Sequence, residues 1–133
     1  MGPIFLTLDE VLALHDHQIR RYGGAAGVRD VGLLASAIGM PSATFDGVLL
    51  HAGLAEMAAA YLFHLVQNHP FVDGNKRIGL AAALVFLRMN SVRIQASEDE
   101  LVDLVLGVAG GRIGKAEVAV FLQRHQARST GAR

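Results

Sequence analysis

The chain has 133 residues, 52% of them hydrophobic and 18% charged, and no cysteine. That length fits one domain with a core of its own, and the composition lies in the globular range. Its 12 basic and 12 acidic residues cancel, which excludes a global field drawing the chain to nucleic acid or an acidic membrane; the missing cysteine excludes disulfides and thiolate metal sites.

Met1 to Leu8 lacks a basic start, a long apolar run and a small-residue cleavage site, so no signal peptide is predicted and the cytoplasm is the expected compartment. Thr7 and Glu10 have the spacing of a capping box. Leu8, Val11, His15, Ile19 and Tyr22 follow at helical intervals, and Gly23-Gly24 stop the run. His15 and His17 stand two apart and do not share a helix face, so they read as surface or packing residues. Asp30 opens a second helix through Ile38, closed by Gly39 and Pro41. Met40 to Asp46 has no clear period and reads as a loop or an irregular hairpin.

From about Val48 to Gln67 the chain is apolar nearly all round, the pattern of a helix that is buried or spans a membrane. His51, Glu56 and His64 interrupt it, and no aromatic-and-basic flanks mark a span, so burial is expected. A buried Glu56 would need a partner. A second apolar helix is predicted from about Asn75 to Asn90, with Ala81, Ala82 and Ala83 permitting close contact and Leu84, Phe86 and Leu87 filling space. Val92 to Ile94 alternates and reads as extended. Ser97 and Glu100 form another capping box, opening a helix through about Ala109 that Gly110-Gly111 end. A last amphipathic helix runs from about Lys115 to Gln126, and Arg128 to Arg133 reads as a frayed tail. The predicted architecture is all-α: one domain over residues 1–127, a bundle of about six helices with two buried central ones.

Between the two apolar helices lies His69-Pro70-Phe71-Val72-Asp73-Gly74-Asn75-Lys76-Arg77. Pro70 disfavours the helical conformation at His69, so the preceding helix must end near Asn68 with His69 at its mouth. Phe71 is expected to plug into the core. Gly74 permits positive φ or close approach of a ligand. A helix starting near Asn75 offers free N–H groups to an anion. Lys76 and Arg77 oppose the helix dipole there, by about 0.3–1 kcal/mol each, and such violations tend to mark function. A bound phosphate would reverse the sign. Asp73 is placed to hold Mg2+, which takes one or two carboxylates plus substrate phosphates, and His69 could take a proton from a hydroxyl. Each residue also has an ordinary reading: a structural histidine, a turn aspartate, a solvated cationic face. A zinc pair of His69 and Asp73 would need a third ligand, and the placement of His64 does not supply it.

The same loop resembles the His-x-Phe-x-Asp/Glu-Gly/Ala-Asn-x-Arg signature of the Fic/Doc family. Leu14-His15-Asp16, Arg21-Tyr22-Gly23-Gly24 and Phe86-Leu87-Arg88-Met89-Asn90 resemble matching stretches of its Doc (death-on-curing) branch, so the likeness covers most of the chain. It implies a helical fold and a toxin of a toxin–antitoxin pair that moves part of ATP, with Mg2+, onto a protein hydroxyl. By resemblance His69 is the general base and Asp73 the Mg2+ ligand, while Gly74, Asn75, Lys76 and Arg77 bind phosphates; Met40 to Asp46 lies where the family has a flap that docks the target segment. The adenylyl-transferring branch continues Gly-Asn-Gly-Arg-x-x-Arg. Here Lys76 replaces the glycine and Leu80 the second arginine, which resembles instead the Doc branch, whose prototype is a kinase acting on elongation factor Tu. Gly74 is closer to the adenylyl-transferring pattern. The resemblance therefore implies transfer of the γ-phosphate to a Ser or Thr, with elongation factor Tu as the candidate target; adenylyl transfer and a silent phosphate-binding module are the alternatives. Some members carry an inhibitory helix with Glu followed by Gly or Asn. No glutamate here is so followed, which implies control by a separate antitoxin. No nucleic-acid or membrane partner is expected.

Overall fold

In the computed structural model, which describes residues 2–127, helices begin where the caps stand. Glu10 N–H donates to the Thr7 hydroxyl at 3.1 Å and Thr7 N–H to the Glu10 carboxylate at 2.8 Å, so α1 runs Leu8–Tyr22. Asp30 caps α2 (Val31–Gly39), accepting Leu33 N–H at 2.9 Å.

Thr44 and Phe45 fall in the stretch read as a loop or an irregular hairpin, and the chain departs from the sequence prediction after Asp46. Val48 does not open the long helix. Thr44–Phe45 (β1) and Val48–Leu49 (β2) pair antiparallel, with Phe45 opposite Val48, and α3 (Leu54–Asn68) starts later. The cause is Asp46-Gly47. Both residues have positive φ, 53° and 79°, which is the two-residue turn whose twist matches a hairpin. The apolar residues from Val48 to Leu50 thus belong to an exposed hairpin rather than to a buried helix. Glu56 is exposed too, and its carboxylate accepts Gly53 N–H at 2.8 Å at the helix start, so no buried partner is needed.

α4 spans Asn75–Met89 and α5 spans Glu98–Ala109, the latter behind the Ser97–Glu100 capping box. α6 (Lys115–Arg124) ends two residues early. Gln126 instead forms an isolated bridge with Ile94, which gives the extended 92–94 stretch its partner. The predicted tail from Arg128 lies outside the described residues.

α3 is the centre of the packing and meets α2, α4, α5 and α6. Tyr61, Leu62 and Leu65 from α3, with Ile78, Phe86 and Leu87 from α4, are fully buried. Full burial of a large apolar side chain is worth about 1.5–3 kcal/mol, so this pair of helices fixes the position of whatever joins them. No described helix is long and apolar enough to cross a membrane. The fold is the expected all-α bundle with two buried central helices, plus one small hairpin.

Candidate active site

The joint between α3 and α4 is residues 69–74, held by α1 and by the residues that follow it. His69 closes α3 in the left-handed conformation, φ 53° and ψ 49°. Pro70 forbids the helical alternative. His69 is exposed, while Phe71 is buried to 1%. The Asn75 side chain locks the turn: its carbonyl accepts Phe71 N–H at 2.9 Å, and its amide donates to the Phe71 carbonyl at 3.0 Å. That buried amide is thus committed inside the loop, so any phosphate contact from Asn75 falls to its backbone N–H.

Gly74 has φ +78°, and a Cβ there would meet Ile19 Cδ1 at 3.2 Å and His15 Nε2 at 3.5 Å. The tight approach comes from α1. His15, predicted to be a surface or packing residue, is buried; its ring stacks on Phe71, and its Nε2–H donates to the Asp73 carbonyl at 2.8 Å. His17 stays exposed.

The carboxylate of Asp73 is held by backbone. Oδ2 accepts Ala25 N–H at 3.1 Å and Oδ1 accepts Gly74 N–H at 2.8 Å. Those two bonds, with Arg77 and His15 nearby, keep its carboxyl below the usual carboxylate range. Gly24 makes the approach possible, since a Cβ there would lie 2.8 Å from Asp73 Oδ2. The residues after α1 continue along the loop as a strap. Val72 N–H donates to the Gly27 carbonyl at 3.0 Å, Arg29 N–H to the Pro70 carbonyl at 2.7 Å, and Val28 bridges Phe71. The sequence marks Gly23-Gly24 as a helix stop and as part of a stretch resembling the Doc branch, and does not single out Ala25 or Arg29. The signal for the strap is the density of glycine between α1 and α2, beside that resemblance.

At the start of α4 the first intrahelical bond is Ile78 N–H to the Gly74 carbonyl, 2.9 Å. The N–H groups of Asn75, Lys76 and Arg77 precede it, and they face the positive end of the helix dipole. Lys76 is exposed; Arg77 is half-buried, leans over the Tyr22 ring at 5.8 Å and reaches the Gln18 carbonyl at 3.4 Å. Leu80, one turn on, lines a groove of about 150 Å³ with Val102, Val105 and Leu106, and Lys76 and Arg77 border the same groove. A larger cleft, about 800 Å³, opens at the other end of α3 around His51, Leu54 and Lys115, away from this loop.

The donor set fits a hard cation shared with phosphates. Asp73 is ionised, and each oxygen keeps a lone pair beyond its N–H bond. Among the described residues no three His, Cys, Asp or Glu side chains gather, so a closed zinc site lacks its ligands. Mg2+ needs no such cage.

A buried central helix pair, joined by a loop that presents a histidine, an ionised aspartate and a helix N-terminus, is the arrangement of one protein class. The model of the Fic/DOC family matches residues 5–87, more than half of the chain, and this protein belongs to that family. It is 41% identical over 121 residues to protein kinase doc of Escherichia phage P1, across 90% of this chain and 93% of that one. To toxin Doc of Mycolicibacterium smegmatis it is 47% identical over 78 residues, 59% of this chain and 60% of that one.

Proposed function

We propose that this protein is a toxin that transfers the γ-phosphate of ATP to a serine or threonine hydroxyl of a target protein, with elongation factor Tu as the first candidate. The observation that carries the choice of phosphate is Leu80. Its side chain carries no charge where the adenylyl-transferring pattern has its second arginine, so that anchor for the orientation exposing the α-phosphorus is missing. Gly74 does not favour the adenylyl alternative, because its φ and the closeness of Ile19 and His15 require glycine for packing reasons alone. A relative that shares 41% identity across nearly its whole length and bears the name of a kinase supports the same reading.

In the proposed reaction His69 accepts the proton of the target hydroxyl. The hydroxyl oxygen bonds to the γ-phosphorus, the bond from that phosphorus to the β–γ bridging oxygen breaks, and ADP leaves. Transfer of this kind rests on positioning and charge stabilisation. The N–H groups of Asn75 to Arg77, with Lys76, hold the phosphates; Asp73 holds Mg2+, which when bound neutralises charge on the phosphate oxygens. The exposed hairpin of β1 and β2 offers unpaired strand edges on which an extended target segment could dock. A separate antitoxin, rather than a segment of these residues, is the proposed inhibitor.

The test is incubation of the protein with cell lysate and Mg-ATP, followed by mass spectrometry. A phosphate added to a protein Ser or Thr, and absent with His69→Ala, is expected. An added AMP would favour the adenylyl reading, and no modification at all would leave a binding module.

A further inference from the structure

Arg29 lies in the strap between α1 and α2, and its guanidinium reaches back to the end of α3. Nε donates to the carbonyl of His69 at 2.6 Å and Nη2 donates to the carbonyl of Asn68 at 3.0 Å. Its own N–H donates to the carbonyl of Pro70 at 2.7 Å. The last carbonyls of a helix lack intrahelical partners and carry the negative end of the dipole. A planar fork can satisfy two of them at once, which the point charge of a lysine does less well.

The two carbonyls belong to the two peptide planes that flank His69. The Asn68 carbonyl fixes the plane on its N-terminal side, and hence φ. The His69 carbonyl fixes the plane on its C-terminal side, and hence ψ. These angles are 53° and 49°, a left-handed conformation that costs an ordinary residue about 1–2 kcal/mol and in which helix ends usually place glycine. Backbone strain of this sort persists only where the surroundings over-determine it. With φ and ψ set, the direction of the Cα–Cβ bond is set, and so is the cone in which the imidazole can move. The same strap holds the Asp73 carboxylate through Ala25.

We propose that Arg29 is a positioning residue for the reaction: by pinning both peptide planes beside His69, it aims the imidazole, and through the strap it sets base and carboxylate in register. This rests on His69 being the base. A residue in this role acts on the rate of transfer and leaves nucleotide affinity alone, whereas a residue that merely stabilised the fold would move neither at temperatures well below melting.

The experiment compares wild type with Arg29→Met and Arg29→Lys, each checked for an intact fold by circular dichroism and thermal melting. With histidine labelled isotopically, the imidazole cross-peak of His69 is followed by NMR without nucleotide, with His51 and His125 serving as internal controls. In Arg29→Met the His69 signal should shift or broaden while the His51 and His125 signals hold. In the transfer assay kcat should fall roughly 10- to 100-fold, the scale of a small misplacement of a reacting group, with KM for ATP near wild type. Arg29→Lys should fall between. An unmoved His69 signal, or a wild-type kcat in folded Arg29→Met, overturns the proposal. If wild type itself transfers nothing, the reaction fails as a reading, and the His69 spectrum alone then decides whether Arg29 aims that side chain.

Discussion

His15 stacks on Phe71 with ring centroids 3.7 Å apart and planes 9° from parallel, and its Nε2–H donates to the Asp73 carbonyl at 2.8 Å. One side chain of α1 therefore holds both the core plug of the loop and the backbone of the residue expected to bind metal. The two roles can be separated. His15→Phe keeps an aromatic ring against Phe71 but leaves the Asp73 carbonyl without its donor, a loss of about 1–3 kcal/mol. His15→Ala adds a cavity and should lose more. Urea unfolding should rank wild type above His15→Phe above His15→Ala. Transfer activity should already be low in His15→Phe, and full activity there would show that the Asp73 carbonyl bond is dispensable.

Gly24 gives a cleaner perturbation of Asp73. At φ +115°, with Asp73 Oδ2 only 2.8 Å from where a Cβ would sit, Gly24→Ala must push the carboxylate aside. The expected cost is about 1–3 kcal/mol of backbone strain, together with a higher Mg2+ concentration for half-maximal activity. Gly39→Ala, at a position with open space and no positive φ, is the control and should change neither. An unaltered Mg2+ dependence in Gly24→Ala would argue against Asp73 as the metal ligand.

His64, on α3, contributes to the dependence of stability on acid. Burial first, then Lys115 and His51, lowers its pKa from 6.5 to about 4, and its Nε2 accepts from the Lys115 ammonium at 3.1 Å. The folded protein thus keeps His64 neutral, while the unfolded chain takes up a proton near pH 6.5. Stability from this group is complete above pH 6.5, declines as pH falls from 6.5 towards 4, and is constant below. Denaturant titrations at pH 7.5, 5.5 and 4.5 should show this decline in wild type and a shallower one in His64→Gln. Equal slopes in the two proteins would remove His64 as the cause.

The conformation of His69 sets stability against activity. Glycine is the residue that φ 53° favours, so His69→Gly should melt no lower than wild type, gaining up to about 1 kcal/mol, while losing transfer entirely. A marked loss of stability would mean that the imidazole is a packing group and that its exposure is incidental.

Much of this was readable in the sequence because it depends on local chemistry. Thr7, Asp30 and Ser97 cap helices by bonds to residues three positions away, and Pro70 ends α3 by a clash with its neighbour; none of this needs a fold. That His69, Asp73 and Gly74 to Arg77 gather where one helix ends and the next begins was legible for the same reason. An irregular hairpin was one reading of Met40 to Asp46, but its second strand, Val48–Leu49, fell to the helix because its apolar residues continue smoothly into the helical pattern of α3. His15, Gly24, Ala25 and Arg29 were missed as site residues for a different cause. They act through bonds or, for Gly24, a close approach to residues 40 or more positions away, and no periodicity records such a contact. The committed Asn75 amide was equally invisible, since spacing does not reveal which way a side chain turns.

The central claim is that the γ-phosphorus, and not the α-phosphorus, meets His69. The most direct measurement is transfer of label from ATP to protein in lysate, in parallel reactions with ATP radiolabelled at the γ position and at the α position, with His69→Ala as the blank. Label from γ-labelled ATP on a protein band that α-labelled ATP leaves dark is the predicted result. Label from the α position would contradict it and make this protein an adenylyl transferase, with Leu80 and Lys76 wrongly weighed.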